Sequence, residues 1–276
     1  MTRFFIIGLL LACLCAGAAG ATHPGAPRVE DAFQRLYSFD FPGAESAARR
    51  YIAANGECPL GHAVLAAGYL FSELNRIDAL SSPISEQKVK SGKSLKPDPA
   101  VRTAFWRAVT EADRTAQMLL AANPSDRQAL AALAISSGLK RDYLALIDKK
   151  LRQSMDHIKE AQVWSTRLLA VDPAAHDAYL NTGFSEYLLG NFPFFLRWVV
   201  KIEGVEGDKE KGLRQLEIAA RSGTLMKPFA QLLLASFYQR EGRPQESVRL
   251  LSALLAEYPE NQVVRRELGK LRQLSD

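Results

Sequence analysis

The chain has 276 residues, 47% hydrophobic and 24% charged, with a formal net charge of +5. These proportions exclude a chain disordered throughout, because enough apolar side chain is present to build a core. A balance this mildly basic gives no indication of nucleic acid as a partner.

The first 21 residues differ from the rest. Arg3 is the only charge ahead of an apolar run from Phe4 to Leu14, and small residues follow, ending Ala19-Gly20-Ala21. A positive start, a short apolar core and an A-x-A end are the three parts of a secretory signal, with cleavage expected after Ala21. The run is shorter than the roughly 20 residues a membrane span needs. An uncleaved N-terminal anchor is the alternative. A second route is written in Leu10-Leu11-Ala12-Cys13, which resembles a bacterial lipobox and would leave a lipid on Cys13. The expected location is the bacterial periplasm or envelope, with an outer-membrane lipid anchor if Cys13 is lipidated. The expected domains are a signal peptide over 1–21, a disordered mature N-terminus over 22–28, and one helical repeat domain over 29–276.

Removing the leader takes away Arg3, Cys13 and Cys15. It leaves 34 basic against 30 acidic residues and a single cysteine, Cys58. One cysteine makes no intramolecular bridge, so stability has to come from packing. Cys58 precedes Pro59 at an expected helix start and reads as a small buried hydrophobe.

From Val29 onward nearly everything has helical period. Helix-forming Ala, Leu, Glu, Gln, Lys and Arg dominate. No Val/Ile/Thr alternation bounded by Asn-Gly or Asp-Gly turns is present. The expected helices are 29–37 with 43–54, 59–77 with 99–122, 126–147 with 151–171, 174–189 with 208–222, and 227–240 with 244–257. A last helix, 260–274, carries Arg265, Arg266, Lys270 and Arg272 on the polar outer side that a terminal cap requires.

The breaks between pairs recur in one form: an apolar turn, then a stop. They are Tyr51-Ile-Ala-Ala-Asn55-Gly56, Leu119-Leu-Ala-Ala-Asn123-Pro124, Leu168-Leu-Ala-Val-Asp172-Pro173 and Leu254-Leu-Ala-Glu-Tyr258-Pro259. Proline pushes the residue before it out of the helical region. Asn55 and Asn123 are 68 residues apart, twice a period of 34.

Residues 228–261 resemble a tetratricopeptide repeat. Leu234, Ala235 and Tyr238 stand in its first helix, Gly242 in the turn, Ser247, Leu251 and Leu254 in its second helix, and Pro259 at its end. Gln231 and Ser247 depart from the usual pattern, which has a large residue and an alanine there. Leu65, Ala66 and Tyr69, and again Leu130, Leu133 and Ala134, repeat the first-helix triplet. Ala44-Ala48-Tyr51, Ala112-Ala116-Leu119 and Ala161-Ser165-Leu168 repeat the second-helix spacing, and Gly183 supplies a small residue in the fourth unit. The resemblance implies an all-α, right-handed solenoid of about five hairpins with a C-terminal capping helix. It also implies a binding or scaffold module in place of an enzyme.

Two insertions interrupt the period. The one near 78–98 carries Lys88, Lys90, Lys93 and Lys96 and reads as a solvated loop, the sharper alternative being a site for an anionic partner. The one near 190–207 contains Phe192-Pro-Phe-Phe-Leu-Arg-Trp-Val-Val200, apolar with one charge. It is too short to span a bilayer. Either it covers the core or groove, or Phe194, Phe195 and Trp198 form a docking segment for a partner or a membrane surface. The order from this segment through Gly204–Leu213 into the last hairpin looks like a subgroup of tetratricopeptide proteins related to outer-membrane types, which implies a membrane-adjacent adaptor.

No H-e-x-x-h, C-x-x-C, G-x-S-x-G, P-loop or G-x-G-x-x-G pattern occurs. The four histidines, His23, His62, His157 and His176, read as surface or core residues in place of metal ligands. The expectation is no catalytic residue, no metal and no cofactor. Function then rests on shape. In the repeat's register the first helices line a concave groove, with Ala67, Leu70, Phe71, Ile135, Leu180, Phe184, Tyr187, Phe229, Leu232 and Gln239 facing it. This wall is apolar, without an evident Arg/Lys/Asn clamp for a carboxylate. It suits an amphipathic helix or an extended apolar peptide. The expected partner is a protein or peptide; the alternative is a lipid-surface module using Phe192–Val200. Oligomeric state has no signature.

Overall fold

The computed structural model describes residues 26–56, 58–77, 96–193, 202 and 204–273. Among them are eleven α-helices and no strand: α1 Val29–Tyr37, α2 Phe41–Asn55, α3 Pro59–Arg76, α4 Pro99–Ala122, α5 Arg127–Asp142, α6 Leu151–Val171, α7 Tyr179–Gly190, α8 Lys209–Ser222, α9 Lys227–Arg240, α10 Pro244–Glu257 and α11 Gln262–Gln273. The described helices therefore fall where the periodicity puts them, to within about two residues at most ends. Two boundaries differ. The third pair's first helix gives way at Tyr143–Ile147 to a π-helical turn, and the fourth pair opens with a 3-10 turn at His176–Ala178 before α7.

Local chemistry explains the boundaries. Asp40, Asp98, Asp126 and Asp208 each stand before a helix and accept a backbone N–H of its first turn. Prolines occupy the first turns of α2, α3, α4, α9 and α10, where no intrahelical N–H is lost. Asn123 and Asp172, each before a proline, are extended and end α4 and α6.

Helices pair as α1/α2, α3/α4, α5/α6, α7/α8 and α9/α10. Each second helix packs on the first helix of the next pair, and α11 covers α10. This consecutive stacking is a solenoid of five hairpins with a cap. The repeat's small positions are its closest contacts: Ala48, Ala112, Ala116, Ser165, Ala235 and Ser247 are all fully buried. In the fourth hairpin a Cβ on Gly212 would come within 2.5 Å of the Tyr187 backbone nitrogen, and one on Gly183 within 2.8 Å of the Gly212 carbonyl oxygen. The two backbones touch there, and only glycine fits.

The stack winds far enough for its ends to meet. The Tyr37 hydroxyl, at the end of α1, donates to the Leu225 carbonyl at 2.9 Å. Its ring packs edge-on against Tyr258 with centroids 5.7 Å apart. The Asn261 side-chain amide donates to the Tyr37 carbonyl at 3.0 Å. One turn of α3 further in, the Phe71 and Phe229 rings meet edge to face at 5.6 Å. The C-terminal ends of α1 and α3 thus rest on the N-terminal ends of α9 and α11.

Candidate functional site

Closure brings the inner wall together. Phe71 of α3, Ile135, Leu139 and Arg141 of α5, Leu180 and Asn181 of α7, and Met226 and Phe229 at α9 line one partly open pocket of about 50 Å³. Four of the groove residues expected from the sequence, Phe71, Ile135, Leu180 and Phe229, therefore converge. A water's share of liquid volume is about 30 Å³, so this space has the scale of a solvent molecule or two. Leu232 joins Phe71 and Phe229 in a second pocket of about 20 Å³, walled on its other side by Leu36, Tyr37 and Phe39. Ala67 and Leu70 are buried in the core.

Three of the expected residues lie away from those pockets. The Tyr187 ring stacks on Phe237 of α9 at 3.8 Å, and Phe184 stacks on the same ring at 6.3 Å. The Tyr187 hydroxyl donates to Glu241 at 2.9 Å. Burial, together with that carboxylate, pushes its pKa up to about 12. The Gln239 amide donates to Ser247 at 3.1 Å, which turns it toward its hairpin partner α10. Phe194, Phe195 and Trp198 lie outside the described residues.

Sequence reasoning did not foresee Arg141 and Asn181 on this wall. Arg141 sits in the last turn of α5, just before the π-helical turn, where the hairpin register no longer applies. Its guanidinium grips Asp142 in a two-pronged pair at 2.7 and 3.0 Å, lies 3.4 Å from the Asn181 amide oxygen, and covers the Phe184 ring at 4.2 Å. Asn181 in turn donates to the Ala134 carbonyl and to Ser165. The adjacent Asp142 takes up the fork that a free carboxylate would need.

A wider furrow of about 400 Å³ lies between α2, α3 and α4. Ile52, Leu65 and Ala108 form its apolar part, and Arg49, Tyr69 and Arg107 border it. Arg49 is held by Glu45 at 2.7 Å and by the Tyr69 hydroxyl at 3.1 Å.

Carboxylates organise the turns. Glu186, 2% exposed, accepts the backbone N–H groups of Glu206, Gly207 and Asp208 at 3.2, 2.8 and 3.2 Å and pairs with Lys211 at 2.7 Å. Glu73, 1% exposed, accepts the Asp98 N–H at 2.8 Å and holds Arg76 at 2.7 Å. Asp177 accepts the N–H groups of Thr224, Leu225 and Met226 and the Thr224 hydroxyl. Glu186 and Asp177 each fill a concavity of three backbone donors and Glu73 takes up a single one, replacing the water those donors would need.

Among the described residues no cluster of three His, Cys, Asp or Glu side chains could hold a metal ion, and no helix is long and apolar enough to cross a membrane. Cys58 is free and buried, with its sulfur 3.3 Å from the Tyr51 hydroxyl.

Comparison with known proteins places one family on the chain. A tetratricopeptide repeat model matches residues 228–271, which is α9, α10 and most of α11. No curated protein matches the chain. Tetratricopeptide repeats are protein-interaction modules, typically without catalysis of their own, so the match supports a protein-binding scaffold in general terms.

Proposed function

We propose that the mature chain is an exported scaffold that holds a protein or peptide partner at its inner, first-helix face and carries out no chemistry itself. The observation that carries this reading is the convergence of Phe71, Ile135, Leu180 and Phe229 on one apolar wall inside a stack that ends in a tetratricopeptide repeat. An apolar wall of first helices suits an amphipathic helix, which buries one face without leaving backbone groups unpaired. A photoreactive amino acid at Leu232 tests it in the native host. The expected result is a discrete protein adduct from Leu232 and none from the same group at Val163, an exposed position on α6. Equal labelling at both positions would refute an inner-face site.

Export rests on the leader, and mass spectrometry of the native protein checks it. The expected N-terminus is near Thr22. A lipid-modified Cys13 would make the scaffold membrane-anchored, and retained Met1 would count against cleavage after Ala21.

The apolar segment Phe192–Val200 supports a second reading, a membrane-surface module of the outer-membrane-adjacent type. Liposome flotation separates the two. On the membrane reading the wild type floats, and a variant with Phe194, Phe195 and Trp198 all changed to serine stays folded and does not.

A further inference from the structure

The furrow between α2, α3 and α4 is open because the side chains that bridge its counterpart one unit on are absent from it. A step of 68 residues carries Ala44, Ala48 and Tyr51 of α2 onto Ala112, Ala116 and Leu119 of α4, and Leu65 and Ala66 of α3 onto Leu133 and Ala134 of α5. A step of 49 carries Ala112 and Ala116 onto Ala161 and Ser165 of α6. The gap between α2 and α4 above α3 therefore corresponds to the gap between α4 and α6 above α5. That second gap is bridged. Lys140 of α5 reaches Asp113 of α4 at 2.9 Å and Glu160 of α6 at 3.1 Å, and His157 lies 2.8 Å from Glu160. At the first gap Ser72 takes the register position of Lys140, and Ala108 that of His157. Glu111, in the position of Glu160, pairs instead with Arg114 on its own helix at 2.9 Å.

What remains is a space of about 400 Å³, inside the range of roughly 300–1,000 Å³ found for small-molecule sites. Its floor is apolar, with Leu65 and Ala108 buried and Ile52 half-buried beside them. α4 lines it from Ala104 to Glu111, which is about 10 Å of helix axis. The charges at its rim are not balanced. Arg49 is taken up by Glu45, and Glu111 by Arg114. Arg107 is exposed at the furrow and forms no hydrogen bond or ion pair with any of the described residues. An unpaired guanidinium offers a carboxylate a two-pronged seat, and here that seat adjoins a floor suited only to apolar atoms.

We propose that the furrow binds a small amphiphilic anion, a single acyl chain lying on Ile52, Leu65 and Ala108 with its carboxylate on Arg107. Apolar burial supplies the attraction and the guanidinium sets the polarity of the head. A cationic head is repelled by Arg107, and a neutral one lacks the charge-assisted bonds. The site lies between second helices, apart from the inner first-helix face, so it stands or falls independently of the peptide-binding reading.

The probe is decanoate below its micelle concentration, titrated calorimetrically into the full chain. One site is expected. Decanol and decyltrimethylammonium are expected to bind at least about ten-fold more weakly, the factor that hydrogen bonds to a charged group carry. Arg107→Glu is expected to weaken decanoate binding at least about ten-fold with an unchanged circular dichroism spectrum, since the arginine has no partner in the fold to lose. Ala104→Trp fills the furrow and is expected to abolish binding; if that variant does not fold, Arg107→Glu decides alone. Absence of decanoate binding overturns the proposal. Equal binding of the three amphiphiles does so too, since it would mean apolar adsorption without a head-group site. An unchanged decanoate affinity in Arg107→Glu has the same consequence. A dimer in sedimentation velocity that Arg107→Glu disperses would assign the furrow to a second copy of the chain and overturn it as well.

Discussion

At the scale of single residues, the contacts that decide stability are those where something small or charged has no substitute. Gly183 is legible in the sequence as the small member of the fourth hairpin. Its partner Gly212 is not, because it sits in a charged stretch, Lys209-Glu-Lys-Gly-Leu213, that reads as surface. A methyl group on Gly212 would meet the Tyr187 backbone at 2.5 Å and the Gly183 carbonyl oxygen at 2.8 Å, both main-chain atoms that cannot step aside. Gly212→Ala should therefore force α7 and α8 apart and cost about 1–3 kcal/mol, despite its favourable helix propensity. Thermal unfolding by circular dichroism reads this directly; an unchanged melting temperature would count against the close approach. Charge shows the same logic. Lys140 reaches Asp113 at 2.9 Å and Glu160 at 3.1 Å, and His157 lies 2.8 Å from Glu160. Burial raises the Glu160 pKa, but the His157 hydrogen bond and the Lys140 charge outweigh it and bring it down to about 2, from an ordinary value of 4.5. A carboxylate lowered on folding contributes stability above its unfolded pKa and loses it as the pH falls through the folded one. The melting temperature should accordingly decline between about pH 4.5 and 2, and Glu160→Gln should flatten part of that limb. The effect is modest, because 35% of the Glu160 side chain remains exposed and solvent screens it.

At the scale of elements, the helices were readable because their signals are local. Aspartate caps, first-turn prolines and Asn-Pro or Asp-Pro stops each act within about one helical turn. What joins the elements is a different matter. Glu73 near the end of α3 and Glu186 near the end of α7 do the same work: each buries its carboxylate and accepts the N–H of the aspartate that caps the following helix, Asp98 or Asp208. In sequence they are two of many helical glutamates, indistinguishable from surface ones that pair with a lysine. The burial that sets them apart exists only once the turns have folded over them. Glu186→Ala should leave the Glu206, Gly207 and Asp208 donors unpaired and Lys211 without its closest anion. Losing a buried acceptor costs about 1–3 kcal/mol. The expected result is a lower urea midpoint together with faster hydrogen exchange over 204–211. Protection there equal to the wild type's would show that the carboxylate does not hold the turn.

At the scale of the molecule, stacked repeats normally owe their stability to nearest neighbours. This stack adds contacts between its first and last units, since Tyr37 touches residues as distant as Leu225, Tyr258 and Asn261. Burial raises the pKa of the Tyr37 hydroxyl, with Asp177 adding to it, so the group stays a neutral donor to the Leu225 carbonyl. Tyr37→Phe should remove that one bond at about 0.5–1.5 kcal/mol. The loss is expected in the opening of α1, seen as faster exchange over 30–37, while the amides of α5 keep their protection. If α5 lost protection equally, closure would be part of the global unfolding unit.

The sequence by itself determined the class of fold, the course of the described helices, their pairing into five hairpins and, Gly212 apart, the small residues at which the pairs touch. Helical period, capping and proline geometry are properties of neighbours within a few positions, so one chain suffices to read them. Only the tertiary structure decided that the inner wall narrows to a partly open pocket of about 50 Å³ where a wide groove is the simplest expectation, and that the end of α1 borders the smaller pocket beside it. Curvature accumulates from a small rotation at each hairpin interface, and those rotations depend on packing along the whole stack. No residue type announces their sum. The meeting of Tyr37 with Leu225, 188 positions apart, follows from that sum alone.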